Sequence, residues 1–409
     1  MAARYVRVVL GVLLGTAALA ASGQPARPTG RIVAVGDIHG AFEQLSDLLE
    51  RVGLTDGSGA WTAGSRATFV QTGDFTDRGS GVQQVMDLLM SLEERASAAG
   101  GRAYVLLGNH EAMNLLGETR DVTPEIFATF ADAESERRRE DAWRRYERHG
   151  KARAARLRSG APSTLGRDEW MAAHPPGFLE YRTAMSPSGR YGRWLRERPA
   201  VLQLGETIFL HGGIHPQMAP DKIEDLNKQV QREIRQFDEY VRHMTSRGLI
   251  LPFFTLQEVV EAARAELQAL AASADREPLP ADLDQRHLDV LQGVVRIAAW
   301  ALVNPNGPLW FRGFGTWTSA EGAPQVAQLL EKYHARRFVV GHTVLSSMRI
   351  QPRFERQVYL IDTGMLSTHY KGGRPSALEI SGDRITAIYD DGRNVLAGTD
   401  GLAESASGR

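Results

Sequence analysis

Short apolar runs, each followed by a glycine and a polar residue, dominate the first third of the chain. Three such runs, at 31–35, 67–71 and 103–107, lead directly to Asp37, Asp74 and Asn109. After the first two runs, apolar residues recur every three or four positions, which is typical of an amphipathic helix. Three strand-then-helix units predict a largely parallel α/β sheet, with polar side chains collected at the carboxyl ends of its strands.

Two long stretches interrupt this pattern. From about residue 123 to 158 the chain is polar and rich in arginine, with Glu and Asp at helical spacing from the arginines. This spacing predicts a solvated helix held by salt bridges, and the alternative is a surface for an acidic protein or substrate. Between His211 and His342, two apolar stripes and a third helical stretch at 283–303 predict helices that pack through those faces.

Further apolar runs predict strands at 200–204, 207–210, 338–341, 357–361, 377–380 and 385–389. Polar motifs lie on both sides of each interruption. We therefore interpret residues 30–396 as a single α/β domain with helical insertions at about 114–198 and 217–305. The last segment, 397–409, is rich in Gly, Ser and Ala and is predicted to be a flexible tail.

The amino-terminal residues have the pattern of a secretory signal peptide. Arg4 and Arg7 precede an apolar run at 8–20, and Ala18-Leu19-Ala20 resembles a cleavage site. We predict a signal peptide at 1–22, cleaved near Ala20 to Ser22, and hence a secreted or periplasmic protein. The alternative is a short uncleaved anchor, although the run is shorter than the about 20 apolar residues of a spanning helix.

Composition narrows the chemistry that this chain can use. The 409 residues are 43% hydrophobic and 24% charged, as in ordinary globular proteins. A formal net charge of -1 gives no general basic field, so we expect no nucleic-acid partner, and no membrane association beyond export. The chain has no cysteine, so disulfides and thiolate metal sites are excluded, and any metal must be held by His, Asp, Glu or Asn. Nothing in the sequence predicts the oligomeric state.

Six polar residues share a position at or just beyond a predicted strand, next to glycines that allow close backbone approach: Asp37, His39, Asp74, Asn109, His211 and His342. Carboxylate, imidazole and amide ligands suit divalent Mn, Fe or Zn, and a carboxylate such as Asp74 can bridge two ions. Two ions that share a water lower its pKa and make a hydroxide nucleophile at neutral pH. We therefore predict a site for two divalent metal ions of undetermined identity.

The motifs around these residues resemble those of a known family. Gly36-Asp-Ile-His-Gly40, Gly73-Asp-Phe-Thr-Asp-Arg-Gly79 and Gly108-Asn-His-Glu111 are similar to the opening motifs of the calcineurin-like metallophosphoesterases, in the phosphoprotein phosphatase branch. His211-Gly-Gly213, Gly341-His-Thr343 and Ile361-Asp-Thr-Gly364 match later motifs. The signal peptide, Trp310-Phe-Arg-Gly313 and the helical insertions most resemble the Shewanella-like protein phosphatases. The resemblance covers residues 31 to 365.

This resemblance implies a fold and a set of roles. The fold would be a metallophosphoesterase-type sandwich of mixed sheets flanked by helices. One metal would be held by Asp37, His39 and bridging Asp74, and the other by Asp74, Asn109, His211 and His342. His110 would donate a proton to the leaving group while Asp77 orients it, and Arg78 and Asn109 would bind substrate. Arg312 is either a second phosphate clamp or a surface arginine.

The implied activity is hydrolysis of a phosphomonoester by in-line attack of a metal-bridging hydroxide. The substrate would be phosphotyrosine or phosphoserine/threonine on a protein, or a small phosphoester. One alternative is a dinucleoside polyphosphate or nucleotide phosphohydrolase, because 211–216 and 362–364 also resemble that branch. The other is a scaffold or binding protein on a phosphatase fold.

Four further residues near the motifs receive weaker interpretations. Glu111 is expected to begin a helix, where its charge favours the helix dipole, and to have no catalytic role. His215 is expected to be structural or to support the ligands. His369 and Tyr370 can approach the mouth of the site, but their spacing alone does not place them.

Overall fold

The computed structural model of the protein describes residues 30–157, 165–274 and 285–398. The predicted signal peptide and all but the first two residues of the predicted tail lie outside these ranges. Among the described residues, no helix is both long and apolar enough to cross a membrane.

The described residues form two β-sheets. Their strands, in chain order, are β1 (Arg31–Val35), β2 (Ala67–Gln71), β3 (Arg102–Val105), β4 (Val201–Leu204), β5 (Thr207–Leu210), β6 (Arg337–Val340), β7 (Gln351–Arg353), β8 (Val358–Leu360), β9 (Ser376–Ser381), β10 (Arg384–Tyr389) and β11 (Arg393–Ala397). The first sheet has the order β11-β10-β9-β1-β2-β3, and the second has the order β4-β5-β6-β8-β7.

Each sheet has a parallel centre and antiparallel edges. Strands β1, β2 and β3 are mutually parallel, as the strand-then-helix pattern predicts, whereas β9, β10 and β11 add antiparallel neighbours. In the second sheet β5, β6 and β8 are parallel, and β4 and β7 are antiparallel edge strands. The expected sandwich of mixed sheets is therefore confirmed. Strands β7 and β11 were not predicted, because both are short edge strands with polar, partly exposed residues.

Alternating side chains of the central strands fill two different cores. In β1, Ile32 and Ala34 pack between the sheets with Phe209 and Val339 of the second sheet. Val33 and Val35 face the other way, towards the helices that cover the first sheet. Because the side chains of successive strand residues point to opposite faces, a strand that is buried on both faces consists of consecutive apolar residues. A third core lies under the helices on the outer face of the second sheet.

Helices occupy most of the chain segments that connect the strands. They are α1 (Phe42–Arg51), α2 (Val82–Ala98), α3 (Asn109–Leu116), α4 (Pro124–Phe130), α5 (Ser135–Leu157), α6 (Arg167–Ala173), α7 (Phe178–Ala184), α8 (Arg190–Arg196), α9 (Glu224–Ser246), α10 (Leu256–Ala274), α11 (Gln285–Val295), α12 (Gly313–Thr316) and α13 (Ser319–Lys332). Helices α3 to α8 lie between β3 and β4, and α9 to α13 lie between β5 and β6. The helix predicted at 283–303 was too long, because α11 ends at Val295 and a short 3₁₀ turn follows.

Helix α5 carries the arginine-rich stretch. Arg137 pairs with Glu134, Arg144 with Asp141, and Lys151 with Glu147, each three or four residues apart. The opposite face of the helix buries Ala142 and Tyr146 against the core. The stretch thus has the salt-bridged face that its charge spacing predicts, together with an apolar face that anchors it.

Candidate metal centre

The parallel strands of both sheets end at one place, and the predicted ligands meet there. Asp37 and His39 follow β1, Asp74 follows β2, Asn109 begins α3 after β3, His211 follows β5, and His342 follows β6. All six side chains belong to buried residues, at most 5% exposed. We call these six residues the metal cradle.

Asp74 stands at the centre of the cradle. Its Oδ2 atom lies 3.8 Å from His39 Nε2 on one side and 3.1 Å from His211 Nε2 on the other. His211 Nε2 lies 2.9 Å from Asn109 Oδ1 and 3.1 Å from His342 Nδ1. Asp37 Oδ2 lies 3.9 Å from His39 Nε2. One carboxylate thus faces two groups of ligand atoms, which is the arrangement a bridging ligand needs.

Hydrogen bonds to backbone carbonyls orient the three histidines of the cradle. His39 Nδ1 lies 2.9 Å from the Thr76 oxygen, and His211 Nδ1 lies 3.0 Å from the Thr72 oxygen. His342 instead bonds through Nε2, at 3.0 Å from the Trp310 oxygen. A carbonyl only accepts, so the bonded nitrogen carries the proton and the other nitrogen offers a lone pair to the cradle. This is the tautomer that a metal ligand requires.

The charge of the cradle fits divalent cations. Burial raises the pKa of Asp37, and repulsion from Asp362 and Asp74 raises it further. Asp362 follows β8 and is 2% exposed, and its Oδ2 atom has no hydrogen-bond partner. Buried carboxylates are unfavourable unless positive charge compensates them. Imidazoles and buried carboxylates together suit Mn, Fe or Zn ions.

The backbone is strained at several of the predicted site residues. His39, Asp74, Asp77, Arg78 and His342 all have positive φ, between 48° and 68°. This left-handed region is unfavourable for side chains other than glycine, and such residues cluster at functional sites. The turns after the strands therefore place these residues in and beside the cradle at a cost in conformational energy.

Two glycines allow the strand-end loops to pack closely. A Cβ atom on Gly108 would lie 2.2 Å from Asp74 Oδ1, and one on Gly341 would lie 2.4 Å from Asp37 Oδ1. Both distances are far below van der Waals contact. Gly108 and Gly341 are thus required because the ligand carboxylates leave no room for a side chain at these positions.

His110 and Asp77 form a buried pair beside the cradle. His110 Nδ1 lies 2.7 Å from Asp77 Oδ2, and its Nε2 lies 3.8 Å from Asp74 Oδ2. Burial lowers the pKa of His110, but the charge of Asp74 and the hydrogen bond and charge of Asp77 outweigh it and raise the pKa to about 9. Because Asp77 holds Nδ1, Nε2 is the nitrogen of the ring that faces the cradle.

Arg78 lies over the same region. Its Nη1 is 2.6 Å from His39 Nε2, and its Nη2 is 3.1 Å from His110 Nε2. Its guanidinium group also donates to the Tyr370 hydroxyl and lies over the Tyr370 ring. Tyr370, which spacing alone could not place, therefore stands at the mouth of the site, and His369 packs against it with ring centroids 4.8 Å apart.

Arg312 flanks the cradle on the His342 side. Its Nη1 donates to the His342 carbonyl at 2.5 Å, and the residue is exposed to solvent. The guanidinium groups of Arg78 and Arg312 are thus anchored at opposite ligands, His39 and His342. His215 does not face the cradle: its Nδ1 accepts from the Gln217 backbone, and its ring packs edge-on against Phe311.

Glu111 does more than begin helix α3. Its Oε2 accepts from the backbone N–H groups of Asp74 and Gly108, both at 2.8 Å. Its Oε1 accepts from the Phe75 and Thr76 N–H groups and from the Thr76 hydroxyl. One buried carboxylate thus joins the loop after β2 to the start of α3. Sequence reasoning found only the helix-start role, because the favourable charge of Glu111 at a helix N-terminus is the signal that the local sequence provides.

The family of the chain follows from its sequence match. Residues 30–346 match the calcineurin-like phosphoesterase family. The chain belongs to this family. The match spans the cradle, His110, Asp77, Arg78 and Arg312, so the residues that converge in the structure all lie within the family region. Their individual roles stay predictions.

The relatives include phosphatases of the branch that the motifs resemble. Shewanella-like protein phosphatase 1 of Plasmodium berghei is 23% identical over 363 residues, which are 88% of this chain and 74% of that protein. Shewanella-like protein phosphatase 2 of Arabidopsis thaliana is 31% identical over 217 residues, 51% of this chain and 52% of that protein. The resemblance to Shewanella-like phosphatases is therefore confirmed. A symmetrical bis(5'-nucleosyl)-tetraphosphatase of Neisseria meningitidis is 24% identical over 202 residues, 49% of this chain and 50% of that protein.

A solved structure shares the fold. The cold-active protein-tyrosine phosphatase of a psychrophilic Shewanella species superimposes with a TM-score of 0.51 at 22% identity, covering 90% of this chain and 80% of that one. This agreement confirms the expected metallophosphoesterase fold.

Proposed function

We propose that the protein is a metal-dependent protein phosphatase, which hydrolyses phosphotyrosine or phosphoserine/threonine. One observation carries the proposal: the metal cradle, the His110–Asp77 pair and Arg78 converge at one end of a calcineurin-like phosphoesterase fold. The names of the relatives from Plasmodium berghei and Arabidopsis thaliana support the same activity.

The cradle would hold two divalent ions. Asp37, His39 and Asp74 would hold one, and Asp74, Asn109, His211 and His342 would hold the other, because Asp74 faces both groups. When bound, the two ions supply positive charge that polarises phosphoryl oxygens and lowers the pKa of a shared water. Manganese, iron and zinc all suit these ligands.

The two arginines would bind the phosphate group. The guanidinium group of Arg78 already spans the mouth of the cradle, and its planar fork suits bidentate contact with phosphate oxygens. Arg312 lies on the opposite side and would provide a second contact. The Asn109 side chain lies within the cradle, where it would contact substrate as well as metal.

His110 would donate the proton that the leaving group needs. Its Nδ1–H is held by Asp77, so Nε2 is the atom that faces the reaction space. The charge of Asp77 beside Nδ1 favours the imidazolium, and transfer of its Nε2 proton to the leaving oxygen would avoid release of a free alkoxide.

The predicted signal peptide supports a cellular location for the proposed activity. Its charged residues and apolar run support export to the periplasm or the exterior, where the protein would act on phosphoproteins or on small phosphoesters.

The proposed function is tested by comparing three substrates. A phosphopeptide, p-nitrophenyl phosphate and diadenosine tetraphosphate are offered to the chelated protein and to the protein with Mn added. We expect turnover of the first two substrates that is lost on chelation and restored by Mn.

The same experiment distinguishes the proposed phosphatase from the two alternative functions. Efficient turnover of diadenosine tetraphosphate alone would favour a nucleotide phosphohydrolase, and the relatives of that name match only about half of this chain. No turnover of any substrate with Mn supplied would favour a scaffold or binding protein.

A further inference from the structure

A continuous line of buried hydrogen bonds connects the His110–Asp77 pair to the first helical insertion. The Tyr181 hydroxyl donates to Asn114 Oδ1 at 2.7 Å, and Asn114 Nδ2 donates to Asp77 Oδ1 at 2.8 Å. The other carboxylate oxygen of Asp77 accepts from His110 Nδ1. All four residues are at most 3% exposed, so water cannot replace these partners. We call these four residues the orienting network.

The direction of each bond is determined by its partners. An ionised carboxylate only accepts, so the Asn114 atom that faces Asp77 must be its NH₂ group. The second hydrogen of that group donates to the His110 carbonyl at 2.9 Å. The amide oxygen then faces Tyr181, whose hydroxyl must donate. Asp77 is therefore held through both oxygens, and rotation of its carboxylate would break a bond to either His110 or Asn114.

Helix α7, which carries Tyr181, is itself fixed against α3. The Tyr181 ring packs edge-on against Phe127 and Phe130 of α4, with ring centroids 5.4 and 5.0 Å apart. The next residue, Arg182, has its guanidinium group beside Gly117, the residue that ends α3. Its Nη2 donates to the Phe254 carbonyl at 3.1 Å. Two adjacent residues of α7 thus contact the helix that presents His110.

We propose that Asn114 and Tyr181 are positioning residues that set the Asp77–His110 pair for proton donation to the leaving oxygen. This inference rests on the proposed phosphatase function and extends it to the first insertion. Neither residue touches the cradle. Asn114 acts on Asp77 directly and Tyr181 acts through Asn114, so the insertion supports the proposed reaction.

The inference predicts a dependence on the leaving group. A phosphoserine peptide releases an alkoxide, which needs a proton as the bond to phosphorus breaks, whereas p-nitrophenolate is stable without one. General acid catalysis contributes about 10²- to 10⁴-fold where a proton is needed. A misplaced acid should therefore slow hydrolysis of phosphoserine much more than hydrolysis of p-nitrophenyl phosphate. Loss of metal or of overall structure would slow both.

The test uses the full chain with Mn supplied and compares three variants. Tyr181→Phe removes only the hydroxyl, and Asn114→Ala removes the hydrogen bonds to Asp77, to Tyr181 and to the His110 carbonyl. Tyr191→Phe is the matched control, because Tyr191 is a buried tyrosine of α8 in the same insertion whose hydroxyl donates to Asp87 at 2.9 Å, outside the orienting network. For each variant, kcat and KM are measured on a phosphoserine peptide and on p-nitrophenyl phosphate. Bound metal and the thermal midpoint are measured alongside.

We expect kcat on the phosphoserine peptide to fall about tenfold in Tyr181→Phe and about a hundredfold in Asn114→Ala, with KM nearly unchanged. On p-nitrophenyl phosphate, both variants should stay within about threefold of wild type. Tyr191→Phe should resemble wild type on both substrates.

Several outcomes would overturn the inference. Equal losses on both substrates would show a merely structural role, and so would a selective loss in Tyr191→Phe. Wild-type kcat on both substrates in a folded, metal-loaded Tyr181→Phe would exclude positioning by the hydroxyl. A wild-type chain that hydrolyses neither substrate would overturn the proposed phosphatase function itself, and the inference would fall with it.

Discussion

The metal cradle and the first helical insertion are built in opposite ways. The cradle collects short loops from five strand ends, with left-handed backbone at His39, Asp74 and His342 and unfavourable buried charge. The insertion consists of regular helices whose aromatic residues pack closely and whose charges are mostly solvated. The predicted site thus lies where the backbone is strained and charge is buried. The insertion supplies packing that holds these loops in place. Substitutions in the two regions should therefore have different effects on activity, bound metal and the free energy of unfolding.

The largest effect is expected at the centre of the cradle. Asp74→Asn removes the charge that faces both ligand groups and should lower kcat/KM at least about a thousandfold, since metal ions supply several kcal/mol of transition-state stabilisation. Bound metal, measured by elemental analysis, should fall in parallel.

Asp47→Asn is the control for that substitution, because the same chemical change is made on an exposed residue of α1. It should leave both activity and metal content unchanged. A fully active Asp74→Asn protein without bound metal would exclude the proposed cradle.

A structural effect is expected where the cradle loops are tied together. Glu111→Gln replaces one carboxylate oxygen with an NH₂ group that faces backbone N–H donors, so at least one buried donor loses its partner. The free energy of unfolding should fall by about 2–4 kcal/mol, measured by urea denaturation. Glu169→Gln, at the equivalent position of exposed helix α6, should lower it by less than about 1 kcal/mol. Equal losses in the two variants would refute the role of Glu111 in joining the loops.

The two regions also differ in how much of each can be predicted from the sequence. The cradle residues lie directly after apolar runs and beside glycines, so their convergence follows from local pattern and from the shared direction of parallel strands. The fold class follows from the same pattern and from the family motifs. The structure shows both features.

The orienting network follows no such pattern. Tyr181 and Asn114 are 67 residues apart and meet only because α7 docks on α3, which is a tertiary contact without local signal. Asp362 lies in a sequence motif, yet its charge raises the pKa of Asp37 only because the ends of β8 and β1, which belong to different sheets, meet. Edge strands such as β7, with Pro352 and exposed side chains, lack the apolar alternation by which strands are predicted.

A smaller effect is expected at the outer arginine. Arg312→Ala should raise KM for p-nitrophenyl phosphate and Ki for inorganic phosphate about tenfold with little change in bound metal, because a charge-assisted hydrogen bond contributes about 1.5–3 kcal/mol. Arg336→Ala removes an exposed arginine that precedes β6 and pairs with Glu206 and Asp383, and it should change neither constant. Unchanged phosphate inhibition in Arg312→Ala would leave Arg312 as a surface arginine.

The smallest effect is expected on the solvated face of α5. Arg137 and Arg144 have side chains 68% and 58% exposed and pair with Glu134 and Asp141. Exposed ion pairs contribute about 0–1 kcal/mol, so the double alanine variant should lose less than about 1 kcal/mol of unfolding free energy. Its kcat/KM should be unchanged on both acidic and neutral phosphopeptides.

Arg139 on the same helix gives the matched contrast, because it is buried and donates to the carbonyls of His174 and Met171 at 2.6 and 2.8 Å. Arg139→Ala leaves these acceptors without partners and should lower the free energy of unfolding by about 2–4 kcal/mol, again without a change in kcat. A selective loss of kcat/KM on acidic phosphopeptides in the Arg137/Arg144 double variant would instead assign the arginine face to substrate binding. The insertion would then act through its exposed charges as well as through its packing.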